Sequence, residues 1–175
     1  MEFMKELAQS GVLAVLVAFI GLIFTYNNSR SLAKQSEANA IVTSMEKILQ
    51  EIADENYKFW RDVTERNEEH EAKCRLFQAY VFYRCNLLED KSAHLNRKCQ
   101  SWFHDHIDHR GFERKTTKII GNIRDKSTYN SENPDLVKDK FSRVLFINNE
   151  TIKLYGVMHE LTQSRYATNS ETFSV

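Results

Sequence analysis

An uncharged apolar segment near the N-terminus constrains this chain more than any other feature. Residues 11–26 read GVLAVLVAFIGLIFTY, and the run extends back to Leu7. About 20 apolar residues form a helix of roughly 30 Å, which matches the hydrocarbon thickness of a bilayer. A cleaved signal peptide needs a basic start and a small-residue cleavage site, whereas this chain begins MEFMKE and follows the run with NNSRSLAK. We therefore expect an uncleaved transmembrane helix, with a signal peptide or a buried core helix as the alternatives.

The charges that flank this segment predict its orientation. Arg30 and Lys34 follow it, and only Lys5 precedes it. Because basic residues tend to stay on the cytoplasmic side, the C-terminal part is expected in the cytoplasm. The cysteines agree, since an odd number without metal-ligand spacing is typical of reduced thiols. They are Cys74, Cys85 and Cys99.

Small residues form a stripe along one face of the predicted span. They recur at spacings of three and four residues, at Gly11, Ala14, Ala18, Gly21 and Thr25. Helices in lipid associate through close packing, which small side chains permit, so the stripe predicts self-association. A single span encloses no channel, and any pore therefore needs several copies. Phe19 and Phe24 are candidates for a hydrophobic constriction that gates by dewetting.

The scarcity of turn-forming residues predicts the fold class. The chain has 5 Gly and 1 Pro among 175 residues, which argues against a β-sandwich, a barrel or a Gly-rich nucleotide-binding fold. We expect an all-α protein with one N-terminal transmembrane helix followed by a cytosolic helical bundle. The expected parts are a tail and span over 1–29, a helical domain over 30–164 and a flexible tail over 165–175.

Apolar spacing predicts the helices of the bundle. The first runs over 30–72, and its apolar positions fit either a coiled-coil neck or one face of a bundle helix. Those positions are Ile41, Met45, Ile48, Ile52, Phe59 and Val63. Residues 74–89 are apolar nearly all round and read as the central helix, with a strand as the alternative. The remaining predicted helices cover 91–109, 113–124, 135–147 and 150–164, with junctions near Gly111, at Asp125–Asn133 and at Asn148–Asn149.

Charge is uneven along a chain whose formal net charge is zero. Residues 91–126 contain 9 basic and 4 acidic residues, a local excess of +5. Such a stretch can contact RNA or anionic headgroups, or complement an acidic face within the protein.

A cluster of imidazoles and carboxylates follows the middle of the chain. Residues 104–109 read HDHIDH and match the H-x-H-x-D-H pattern of metallo-β-lactamase-type hydrolases, whose residues bind two metals. Those enzymes need a larger Gly-rich α/β fold and further ligands downstream, where this chain has the lone His159. We interpret the cluster as a helix surface on which His106 or Asp105 shares a face with His109. Neither a metal nor a cofactor is expected.

Arg97 and His104 form the one candidate catalytic pair. Their R-x6-H spacing places them two turns apart on one helix face. In the HEPN superfamily, a similar pair in facing copies cleaves RNA, with the His as general acid or base and the Arg stabilising phosphate charge. Lys98 departs from the short polar residue usual after the Arg. The alternative is a surface Arg and a partly buried His.

In layout the chain resembles the small accessory membrane proteins of type VI-B CRISPR systems, which are encoded beside an RNA-guided RNase. The resemblance covers nearly the full length: a similar size, one N-terminal span and a helical cytosolic domain with a degenerate HEPN-like pattern. Only Arg97 and His104 carry over as motif residues. The resemblance implies a ring-shaped homo-oligomeric pore in the bacterial inner membrane, with an octamer as one expected size. Such a pore would depolarise the membrane and strengthen antiphage defence.

Three functions stay open on the sequence. A membrane pore fits the small-residue stripe, the apolar spacing that matches a coiled-coil neck, and the resemblance. A membrane-tethered HEPN-type RNase, with RNA as its partner, would depend on Arg97 and His104. A non-enzymatic anchored adaptor would need the span only as a tether, so that an unrelated span could replace it.

Overall fold

The computed structural model describes residues 11–62, 68–100 and 108–166, and these residues form helices and turns without a strand. The helices are α1 (Val12–Asp62), α2 (Glu68–Cys99), α3 (His109–Thr128) and α4 (Lys140–Tyr166), with a short 3-10 helix at Pro134–Leu136 before α4. The all-α prediction is confirmed, with a long apolar N-terminal helix and a helical bundle. The HEPN-like character of the bundle stays a prediction.

Helix α1 is a single helix of 51 residues that contains both the apolar segment and the first bundle helix. From Ala38 onward its buried positions recur every three or four residues and pack into the core. They include Val42, Met45, Ile48, Ile52 and Phe59. The predicted apolar positions therefore face the chain's own bundle, so they form one face of a bundle helix rather than a coiled-coil neck. Within the described residues the helix runs to Asp62 and the next one begins at Glu68, and Val63 lies outside the described residues.

Helix α2 joins two helices that the sequence suggested as separate. It runs through 74–89 without becoming a strand, and it continues to Cys99. Glu68, Glu69 and Glu71 lie in its first turn, while Arg97 and Lys98 lie in its last turn. Acids at the N-terminus and bases at the C-terminus both stabilise a helix, because they interact favourably with its dipole. The prediction of a third helix over 91–109 is wrong, because residues up to Cys99 belong to α2 and His109 opens the next helix.

Helix α3 begins with a side-chain cap. The Asp108 carboxylate accepts a hydrogen bond from the Gly111 N–H at 2.7 Å, which satisfies one of the free donors of the first turn. Gly111 is therefore part of the helix start rather than a break. The helix extends to Thr128, beyond the predicted end at residue 124.

A compact turn connects α3 to α4. Asn130 adopts a φ of 56°, and Pro134 opens the 3-10 helix at a position where its missing N–H costs nothing. The Asp139 carboxylate then accepts the Ser142 N–H at 2.8 Å near the start of α4. The predicted break at Asn148–Asn149 is wrong, because α4 runs through both residues as one helix.

Aromatic and ionic contacts join α1 to the other helices of the bundle. Phe59 stacks on Phe77 of α2 with ring centroids 3.9 Å apart. The Arg143 guanidinium of α4 lies over the Trp60 ring at 4.3 Å and donates a hydrogen bond to the Tyr129 carbonyl. These contacts bury Phe59 and Trp60 in the core.

The chain divides into two compact units, and the division falls between Glu37 and Ala38. The boundary expected from the sequence lay earlier, at residue 29, because it was placed where the apolar segment gives way to charged residues. The second unit contains the bundle core, and the first contains the apolar segment of α1.

Candidate functional site: an exposed apolar helix

The apolar part of α1 is exposed throughout the described structure. Its most apolar window has a mean hydropathy of 1.8, and none of that window is buried against other parts of the chain. By length and composition α1 is one helix able to cross a membrane, although such a helix could also belong to a soluble core. Exposed apolar surface of this extent is unfavourable in water and marks a contact with lipid or protein.

The small-residue stripe lies on one exposed face of this helix. Ala14, Ala18, Gly21 and Thr25 are all exposed, and a Cβ added at Gly21 would meet no atom within 4 Å. Gly11 lies just before the helix with a φ of +73°, and its carbonyl accepts the Val15 N–H. Four of the five predicted residues therefore form the helical stripe, while Gly11 directly precedes the helix.

The hydroxyl of Thr25 is satisfied within the helix. Its Oγ1 donates to the Gly21 carbonyl at 2.9 Å. A hydroxyl bonded in this way is no longer a free donor, as a lipid environment requires.

Phe19 and Phe24 do not share a face. Phe19 is 63% exposed and Phe24 is 76% exposed. Five residues correspond to about 140° around a helix, so both rings cannot face one common axis. Phe24 lies about 90° from the centre of the small-residue stripe, and Phe19 lies about 130° from it.

Only one member of the candidate catalytic pair is described. Arg97 is exposed in the last turn of α2, and its carbonyl accepts the Gln100 N–H at 3.3 Å. His104 lies outside the described residues, so the pairing of these two residues stays a prediction.

Two members of the H-x-H-x-D-H cluster have structural partners. Asp108 caps α3, and His109 Nδ1 lies 2.7 Å from Asn96 Oδ1 on α2. The predicted partners of His109, which are Asp105 and His106, lie outside the described residues. Within the described ranges, no group of three His, Cys, Asp or Glu residues could hold a metal ion. His159 contacts Glu46 at 2.8 Å instead.

A buried polar cluster joins α2 to the turn after α3, and the sequence analysis missed it. His70 Nε2 lies 2.8 Å from the Ser131 carbonyl oxygen, and Gln78 donates to Ser131 Oγ at 2.8 Å. The Cys74 thiol donates to the same oxygen at 3.2 Å. His70, Cys74 and Gln78 follow an i, i+4, i+8 spacing, which was the available signal for a shared face.

The cysteines are free thiols, as the sequence suggested, and all three are buried. Burial raises the pKa of Cys85 to about 12 and that of Cys99 to about 11. Burial also raises the pKa of Cys74, although its hydrogen bond to Ser131 opposes the rise. A protonated buried thiol is a poor nucleophile, so none of the three is suited to covalent catalysis.

Comparisons with known proteins give no match: neither a protein-family model, nor a curated protein, nor a solved structure is similar to this chain. The exposed apolar helix and its small-residue stripe therefore stand as the candidate site on the geometry alone.

Proposed function

We propose that this chain is a single-span membrane protein whose α1 helices associate into a ring-shaped homo-oligomeric pore. The observation that carries the proposal is the exposed apolar segment of α1, which has a stripe of small residues on one face and continues as a helix into a folded bundle. Lipid would cover the large apolar side chains, and neighbouring helices would cover the stripe.

The stripe sets the geometry of the proposed ring. In a ring each helix contacts two neighbours through two different faces, so the stripe of one copy would pack against the large side chains opposite the stripe of the next. The conduit would then lie about a quarter turn from the stripe, where Phe24 is placed. Phe24 is therefore the better of the two phenylalanines for a hydrophobic constriction.

The biological role comes from the resemblance to the type VI-B accessory membrane proteins. On that basis the pore would lie in the bacterial inner membrane with the bundle in the cytoplasm. It would depolarise the membrane in support of an RNA-guided RNase during antiphage defence. Arg30 and Lys34 after the apolar segment support this orientation.

Ion flux through reconstituted vesicles tests the proposal. Full-length protein should let ions cross the vesicle membrane, which a trapped fluorescent ion reporter detects. Ala18→Leu or Gly21→Leu should abolish this ion flux by separating the helices. Both residues are exposed and a Cβ at Gly21 meets open space, so neither change should disturb the bundle. Val15→Phe is the matched control, because Val15 is exposed and lies about a quarter turn from the stripe on the side away from Phe24, where the ring would face lipid.

Each outcome decides a part of the proposal. Equal ion flux from all variants would show that the helices associate without the small-residue stripe. Vesicles that contain the oligomer but release no ions would contradict the pore and favour the anchored adaptor, whose function should survive exchange of residues 11–26 for an unrelated span.

A further inference from the structure

Helix α3 presents a basic face to solvent. Arg110, Arg114, Lys115 and Lys118 are exposed, and the spacing of Arg110, Arg114 and Lys118 places these three on one side of the helix. Glu113 is the one acid among them. These four bases and one acid account for +3 of the local +5 excess of residues 91–126.

The other cations of α3 have partners in the bundle, whereas the described residues form no ion pair with these four. Arg124 lies 3.4 Å from Glu89, and the Lys126 ammonium lies 5.5 Å from the Phe146 ring centroid. Within the described ranges, no acidic side chain lies within ion-pair distance of the four basic residues. Lys118 acts on the Glu150 carboxylate only at longer range, and Glu150 already binds Lys153 and Asn122. The basic face therefore does not complement an acidic face of the same bundle.

We infer that this basic face of α3 docks on anionic phospholipid headgroups. The inference rests on the proposed function, because the span is what holds the bundle close to a bilayer. Eleven residues separate Tyr26, the last of the apolar segment, from Ala38, where the bundle begins. These residues belong to α1, and eleven helical residues rise about 16 Å, so the start of the bundle is held close to the end of the apolar segment and a few basic residues suffice for a second contact.

The composition of the face favours lipid over nucleic acid. Proteins that bind single-stranded RNA combine basic residues with exposed aromatic rings on which bases stack. Between Arg110 and Lys118 the one aromatic residue is Phe112, and it is buried. A face of basic side chains without stacking platforms matches the charge of headgroups.

The buried cysteines allow a direct test in the full-length protein. Cys74, Cys85 and Cys99 have no exposed surface, so a cysteine introduced at Thr117 can be labelled selectively in the folded chain. Thr117 is exposed beside Arg114 and Lys118, and Asn149 on α4 is an exposed position for a reference label. Each fluorescent protein would be reconstituted into vesicles of phosphatidylcholine alone or of phosphatidylcholine with phosphatidylglycerol. Both vesicles would contain a headgroup-attached quencher.

Quenching at position 117 should be stronger in the anionic vesicles, should disappear at high salt and should not occur at position 149. Arg110→Glu with Arg114→Glu should lower the docked fraction at least tenfold, since each basic residue near an anionic surface contributes about fivefold. Lys47→Glu with Lys138→Glu is the matched control, because it makes the same change in net charge at exposed lysines outside the face.

Four results would overturn the inference. Stable incorporation into both vesicles without quenching at 117 would contradict docking and leave the membrane-spanning proposal intact. Equal losses from the two double variants would mean that net charge, rather than this face, governs the contact. Salt-sensitive RNA binding that requires Arg110 and Arg114, without lipid quenching, would assign the face to nucleic acid. Failure to enter either vesicle would contradict the proposed function together with the docking.

Discussion

The side chains of Phe59 and Trp60 connect α1 to the rest of the bundle. Phe59 stacks on Phe77, and Trp60 lies beneath the Arg143 guanidinium. The apolar spacing of α1 placed Phe59 in the core correctly. It could not reveal the partner of Trp60, because Arg143 comes from a distant part of the chain and is held by the Tyr129 carbonyl.

Removal of the Phe59 ring should destabilise the bundle strongly. Phe59→Ala should lower the free energy of unfolding by about 3–5 kcal/mol, because a buried aromatic ring leaves a cavity. Tyr57→Ala is the control, since Tyr57 is 53% exposed, and it should change stability by no more than about 0.5 kcal/mol. Denaturant unfolding of the full-length protein in detergent, followed by circular dichroism, measures both. Similar losses from the two variants would contradict the assigned core.

The buried thiol of Cys85 should make the bundle less stable at high pH. Burial raises its pKa from 9.0 to about 12, so above pH 9.0 the unfolded chain releases a proton that the folded chain keeps. The stabilisation is complete below the unfolded pKa and is lost as pH rises towards the folded pKa. The free energy of unfolding should therefore fall as pH rises above 9.0, and less steeply in Cys85→Ala. Parallel pH profiles for the two proteins would contradict the burial of this thiol.

The helix boundaries show what apolar spacing can and cannot predict. It identified α1 through its buried face, and it identified the centre of α2. It placed false breaks at Gly111 and at Asn148–Asn149, because residues that often end helices here lie within them. Asp108 caps the turn that contains Gly111, and Thr151 Oγ1 donates to the Asn148 carbonyl at 2.7 Å inside α4. Such local hydrogen bonds become visible only in the folded chain.

The cap of α3 can be tested as an element. Asp108→Ala should lower the free energy of unfolding by about 0.5–2 kcal/mol, because the Gly111 N–H loses its acceptor. Asp108→Asn should retain most of the stability, since an asparagine oxygen also caps a helix. Gly111→Ala should also be destabilising, because the added Cβ would collide with the Asp108 carboxylate. Thermal unfolding measures all three, and a stable Asp108→Ala protein would contradict the cap.

At the scale of the whole molecule, two compact units have different surfaces. The first exposes large apolar side chains, and the second buries its apolar residues in a helical core. The sequence was sufficient to predict this contrast, because an uncharged run of this length is unmistakable in composition. The sequence was not sufficient to predict what covers the apolar segment, since a small-residue stripe is compatible with several assemblies.

The measurement that tests the central proposal most directly is the mass and shape of the full-length protein extracted in mild detergent. Light scattering gives the mass, and particle imaging gives the shape. We expect a closed ring of several copies with a central opening, and Gly21→Leu should break it into smaller species while Val15→Phe leaves it intact. A wild-type protein that is monomeric or dimeric would contradict the pore.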